Sequence, residues 1–174
     1  MVAKVIKYGS SILRQHSTEV ETTSNTSELI KNLFDTLDKE GGIGLAAPQI
    51  GVLKRAFVMD SNPMDSDEEP VEKFRRAVIN PQIVAKSNEK IIYSEGCLSI
   101  PGIYEEVERP QSISVKYLDE SLNPIERELV GIEARIFQHE FDHLDGVLFV
   151  DRISSIRKSL ISSKLKRIMR QFTK

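Results

Sequence analysis

Two histidines four residues apart, in His139-Glu140-Phe141-Asp142-His143, constrain this 174-residue chain more than any other stretch. Four residues is just over one helical turn, so a helix brings both imidazoles to one face, within reach of a single metal ion. Glu140 can then touch a metal-activated water without being a ligand. The chain holds three histidines in all, and two lie here. Ile132, Ile136, His139 and His143 fall at i, i+4, i+7 and i+11, so the histidines continue an apolar stripe and point inward. Gly146 is a plausible stop. The pattern predicts a helix over 131–144 and a metal-dependent hydrolase.

A catalytic site of this kind needs a third protein ligand and one position left open for water. A thermolysin-like protease supplies a downstream Glu, but no Asp or Glu occurs from Arg152 to Lys174. A metzincin reads H-E-x-x-H-x-x-G-x-x-H. Gly146 fits that pattern, and Phe149 stands where the third His belongs. The strongest remaining candidate is Cys97, the one cysteine, in Glu95-Gly96-Cys97-Leu98-Ser99. A thiolate with two neutral imidazoles is a sound three-ligand set. A lone cysteine more often serves as a small buried apolar residue. The missing ligand, and Gly96 as a mark of close backbone approach, shift that balance.

A third segment, Gly42-Ile43-Gly44-Leu45-Ala46-Ala47-Pro48-Gln49, lacks every phosphate-binding fingerprint. Gly41 and Gly42 suit a helix end followed by a turn. Small residues also let backbone lie beside an extended peptide and pair with it. The Gln49 side-chain amide can donate to a developing oxyanion.

Together the three segments resemble the peptide deformylases, whose motifs are G-x-G-x-A-A-x-Q, E-G-C-x-S and H-E-x-x-H, in that order. Ile79-Asn80-Pro81 and Leu144-Asp145-Gly146 fit as well. The resemblance implies removal of the N-formyl group from the initiator methionine of nascent polypeptides. It implies Cys97, His139 and His143 as metal ligands and Glu140 as general base and acid. It assigns Gln49 and the Leu98 N–H to the oxyanion, and the backbone around Ile43 and Gly44 to the substrate. Fe(II) is the implied ion in cells, though Cys plus two His also accepts Zn, Ni or Co. A pocket for methionine is expected from Ile132, Ile136 and Tyr93. The loop from Ser61 to Arg76 looks longer than in the shorter members, and Tyr104 stands where some members have Arg. Two other readings of the same residues are an endopeptidase or other amidase, and a metal-stabilised binding module.

One domain spanning residues 1–174 is expected from the length. A hydrophobic fraction of 40% suffices for a core. A formal charge of −2 gives no pull toward DNA or an anionic membrane. No apolar run is long enough for a signal peptide or a membrane span, which points to the cytoplasm. A metal-bound thiolate suits a reducing compartment. Helices are predicted over 27–40, with Leu29, Ile30, Leu33, Phe34 and Leu37 inward, and over 154–174. Strands are predicted over 53–59, 77–85, 91–94, 112–117 and 125–130, and a solvated acidic loop over 61–70. The sum is α+β: short, mostly antiparallel strands packed around the central metal-binding helix, with an N-terminal and a C-terminal helix. Arg135, Asp142 and Asp145 read as helix-face charges, with one carboxylate available to orient a ligand. Arg109 reads as a structural ion-pair partner, and His16 as a surface residue. In the C-terminal helix, Ile161, Leu165, Ile168, Met169 and Phe172 form an apolar stripe. Lys164, Lys166, Arg167, Arg170 and Lys174 lie opposite, either as a solvated face or as a contact for ribosomal RNA.

Overall fold

The computed structural model describes residues 1–21, 25–64 and 72–172. Helix α1 spans Asn25–Glu40. Ile30, Leu33 and Leu37 recur at helical spacing and are buried, with Leu29 and Phe34 half-buried beside them. Gly41 ends the helix at φ +69, a conformation that costs a glycine little.

A five-stranded antiparallel sheet follows, in the order β1 (Gly44–Ala46), β2 (Ala56–Asp60), β3 (Arg75–Lys86), β6 (Ser112–Leu118), β7 (Pro124–Val130). Side chains alternate across β2, which lies deep enough to be buried on both faces. Phe57 and Met59 pack with Val115, Tyr117 and Phe137. Ala56 and Val58 pack with Leu33, Leu37 and Leu45 beneath α1. β3 bends at Asn80, where the register with β6 shifts. Asn80 sits at φ +50, which Asn tolerates better than most residues, and its amide grips the N–H and carbonyl of Val20 at 2.7 and 3.0 Å.

β4 (Lys90–Cys97) and β5 (Ile100–Pro110) form a separate hairpin. Helix α2 spans Gly131–Leu144, as its periodicity predicts. Phe137 turns toward the large sheet, stacking edge-on to Phe57 with centroids 5.0 Å apart. Arg135, His139 and Asp142 turn toward the hairpin. α2 is therefore held between the two sheets. Helix α3 spans Ser155–Phe172 and buries Ile161, Leu165 and Ile168 against Ile103 and Val107 of β5 and Phe149 of the preceding turn. Met169 and Phe172, expected in that stripe, stay 39% and 45% exposed; Met169 lies against Gly9 of the N-terminal segment.

Two strands are absent from the sequence reading. β5 was not predicted, although its burial alternates strictly from Ile103 to Arg109. Two of its four inward residues, Glu105 and Arg109, are charged, which disguises the apolar period of two. β1 was not predicted either, since Gly-Leu-Ala carries no β-branched or aromatic signal. Of the expected acidic loop, residues 65–70 lie outside the described residues. Ser61 is buried, with its hydroxyl accepting from the Phe74 N–H at 2.8 Å.

Asp151 closes the chain between α2 and α3. It pairs with Arg14 and accepts from Lys158 at 2.8 Å and the Leu148 N–H at 3.0 Å. Partial burial raises its pKa, but these donors outweigh burial and bring it from 3.8 to about 2. Because the folded-state value is the lower one, this stabilisation is full above the unfolded pKa and is lost as pH falls through about 2. Asp151→Asn is expected to lower the unfolding free energy near neutral pH by ~1–2 kcal/mol and to flatten its decline in acid. Urea titrations across that pH range check this; an unchanged acid limb rules the pairing out as a source of stability.

Candidate metal centre and active-site cleft

The Cys97, His139 and His143 donor atoms lie within 4.8 Å of one another. The two histidines come from successive turns of α2, and Cys97 comes from the end of β4. Cys97 pairs with Ile100 across a two-residue turn formed by Leu98 and Ser99. Its Sγ is 3.3 Å from His143 Nε2. Donors of this type around one tetrahedral ion sit ~3.5 Å apart, so the set fits a divalent metal. His143 is 1% exposed.

His139 is oriented from behind. Its Nδ1 is 2.8 Å from Glu95 Oε2, which leaves Nε2 for the donor cluster. Glu95 in turn accepts from Arg109 Nε and Nη2 at 2.7 and 2.9 Å and from Arg135 Nη1 at 2.7 Å. Arg109 also donates to Asp142 at 2.7 Å, and Asp142 is paired again with Arg152. Burial alone raises the Glu95 pKa, but Arg109 and His139 outweigh it and hold the carboxyl far below the usual range. For His139, burial works against the proton, yet the bonds to Cys97 and Glu95 raise its pKa. For His143, burial and the charge of His139 both lower it.

Glu140 differs from the other acids of α2. It is 4% exposed, and its Oε2 has no hydrogen-bond partner among the described residues. Burial raises its pKa to about 7. Its side chain lies flat on Gly44 of β1: a Cβ there would stand 2.4 Å from Oε1 and 2.9 Å from Cγ. Across the cleft, Gln49 is held by its own oxygen, which accepts from the Ala46 N–H at 2.7 Å. Its Nε2 donates to Ser99 Oγ at 3.1 Å and stands 3.5 Å from Cys97 Sγ.

These groups face a cavity of about 380 Å³. Ile43, Gly44, Tyr93, Ile132 and Ile136 all line it, with Leu98, His139 and Glu140 at its inner end. A family model described as polypeptide deformylase matches residues 2–159. The chain belongs to the polypeptide deformylase family. A peptide deformylase of Pseudothermotoga lettingae is 47% identical over 100% of this chain and 96% of its own length. One from Fusobacterium nucleatum is 42% identical over 98% of this chain and 95% of its own. A crystal structure of the Plasmodium falciparum peptide deformylase superposes with a TM-score of 0.88 at 40% identity, covering 98% of this chain and 97% of that one.

Every site residue expected from the sequence of this deformylase lies at or beside the cleft. Arg135 and Asp142 are not helix-face charges as expected. They are 4% and 6% exposed and belong to the ion-pair network behind His139. The signal was present: Arg135, His139 and Asp142 fall at i, i+4 and i+7, the same inward stripe. Asp145 caps α2 and pairs with Arg55 at 2.7 Å. Arg109 is the ion-pair partner expected of it, and the carboxylate that orients a histidine is Glu95. Met64 and Tyr104 also line the cavity. The Tyr104 ring covers Gly96, where a Cβ would meet it at 2.5 Å.

Gly44→Ala is expected to displace Glu140, since the added Cβ would overlap its Oε1, Cδ and Cγ. Turnover of this deformylase should fall about 10²-fold while the metal is retained. Paired elemental analysis and kinetics check this; normal turnover means that Glu140 and β1 are not in contact during catalysis.

Proposed function

We propose that this cleft is where the chain removes the N-formyl group from the N-terminal methionine of newly synthesised polypeptides. The observation that carries the reading is the Cys97, His139 and His143 cluster, whose Cys97 and His139 line a cavity shared with Glu140, the Oε2 of which has no hydrogen-bond partner among the described residues. Those three side chains would hold a divalent ion, which would supply Lewis acidity and a lowered pKa for water at the site. We take Fe(II) as the ion in cells, with Zn, Ni or Co as substitutes, since thiolate and imidazole donors suit all four.

Glu140 takes the proton of the attacking water, and a pKa near 7 suits a group that must both accept and return it. Water adds to the formyl carbon, the C–N bond breaks, and Glu140 delivers the proton to the departing amine, giving formate and a free N-terminus. The Gln49 amide and the Leu98 N–H receive the oxyanion. Backbone around Ile43 and Gly44, on the edge strand β1, pairs with the extended substrate. Ile132, Ile136 and Tyr93 receive the methionine side chain.

The same reading treats residues 1–174 as one catalytic domain, because α3 reaches beyond the matched residues yet packs on β5. No helix is long and apolar enough to cross a membrane among the described residues. Nascent-chain substrates and a thiolate ligand support a cytoplasmic location.

Glu140→Ala is expected to keep its metal and lose about 10²–10⁴-fold in turnover of a formyl-methionyl peptide. Near-normal activity in metal-replete protein would refute the role of Glu140.

The exposed face of α3 carries Lys164, Lys166, Arg167 and Arg170, and contact with ribosomal RNA would raise the local concentration of substrate. Binding to ribosomes is expected to weaken steeply with salt. Reversing the charge of Lys166, Arg167 and Arg170 should abolish it and leave turnover of a short formyl peptide intact. Unchanged co-sedimentation would return this face to a solvated one.

A further inference from the structure

We propose that Lys7 is a positioning residue for the oxyanion site, which rests on the assignment of Gln49 and Leu98 made above. The first ten residues contain no helix or strand. Even so, three consecutive residues bond the two loops that carry the oxyanion donors. The Ile6 N–H donates to the carbonyl of Gln49 at 2.8 Å, and the Tyr8 N–H donates to the carbonyl of Ser99 at 2.8 Å. Between them, Lys7 Nζ donates to the carbonyl of Leu98 at 2.8 Å.

These contacts answer a mechanical need. Gln49 sits in a short 3₁₀ turn, Ala47–Ile50, after β1. Leu98 and Ser99 form the turn of the β4–β5 hairpin, which belongs to a different sheet. Directly between them run the Gln49 Nε2 bond to Ser99 Oγ and the approach of that amide to Cys97 Sγ. Both involve the amide that the reaction needs for the oxyanion. Residues 6–8 supply ties that leave this amide free to act. An oxyanion hole works only if its donors are fixed before the charge develops.

Lys7 is the member whose position is not explained by packing. A lysine is flexible and strongly hydrated, and an exposed one ordinarily extends into water. Here it is half-buried, and its ammonium rests on a backbone carbonyl ninety-one residues away in sequence. A charged donor makes that bond stronger than a neutral one. It holds the hairpin turn against the N-terminal segment at the residue whose N–H faces the oxyanion. Holding that donor in place stabilises the transition state and contributes little to the bound substrate, so its loss should appear in kcat.

The test compares Lys7→Met and Lys7→Arg in the full chain, loaded with the same metal. Lys7→Met is expected to lower kcat for a formyl-methionyl peptide on the order of tenfold, with KM nearly unchanged. Lys7→Arg, which keeps a charged donor, should restore most of the rate. In zinc-loaded protein, the Gln49 side-chain amide and Leu98 backbone amide resonances should shift or broaden in Lys7→Met and recover in Lys7→Arg. Wild-type kcat in Lys7→Met with impaired Gln49→Ala overturns the role of Lys7 alone. Wild-type kcat in Gln49→Ala overturns the oxyanion assignment beneath it and this inference with it. An equal loss in Lys7→Met and Lys7→Arg, with a lowered thermal midpoint and unmoved amide resonances, returns Lys7 to a packing role.

Discussion

Glu95 carries a buried negative charge that ties three elements of the fold together. It is itself in β4, and its partners are Arg109 of β5 and Arg135 and His139 of α2. Asp142, one turn beyond His139, takes the other end of Arg109 and is paired again with Arg152. Charges removed from water in this way are tolerable only when nearly all of their hydrogen-bonding capacity is met. Glu95 meets its own with two arginines and an imidazole. Among the described residues, the Nε of Arg135 is left without a partner. Breaking one member would leave the remaining charges buried and unpaired, so the network acts as a unit.

The consequence for the site is a rigid direction for one imidazole. Glu95 fixes His139 by Nδ1 and so presents Nε2 to the cluster. The hairpin that carries Glu95 also carries Cys97 two residues later, so one element supplies a donor and the clamp on another. Behind the same hairpin, Arg157 of α3 donates to the buried Glu105 at 2.8 Å, directly across the ladder from Glu95. The C-terminal helix thus braces the strand pair that shapes the cleft. Glu140 stands outside this order: it is buried without a full set of partners, and the two carboxylates diverge in pKa for that reason. One is bonded to cations and stays ionised, while the other is buried against the Gly44 backbone without such a partner, and burial raises its pKa to about 7.

Much of this was legible in the residues themselves. The spacing of His139 and His143 dictates a helix, and α2 has the bounds that spacing implies. The alternation of Ile113, Val115 and Tyr117 marks β6, and Leu33 and Leu37 mark α1. The misreadings of β5 and α2 share a cause. β5 and the inward face of α2 both bury charged residues, and a reading based on apolar period takes charge as a sign of solvent. Arg135 and Asp142 were therefore placed outside, and Glu105 and Arg109 hid a strand. A local pattern cannot report that Arg109 finds Glu95 fourteen positions away and Asp142 thirty-three away.

The sequence by itself determined the chemistry, because the donor types, their spacing on one helix and the small residues of 42–49 are local properties. Only the tertiary structure decided how those groups work together. It set Cys97 Sγ at 3.3 Å from His143 Nε2, pressed Glu140 onto Gly44 and ran Lys7 to the Leu98 carbonyl. Each of these joins elements far apart along the chain, and their distances follow from how two sheets close on α2. That closure is a property of the whole packed core, which no short stretch of sequence contains.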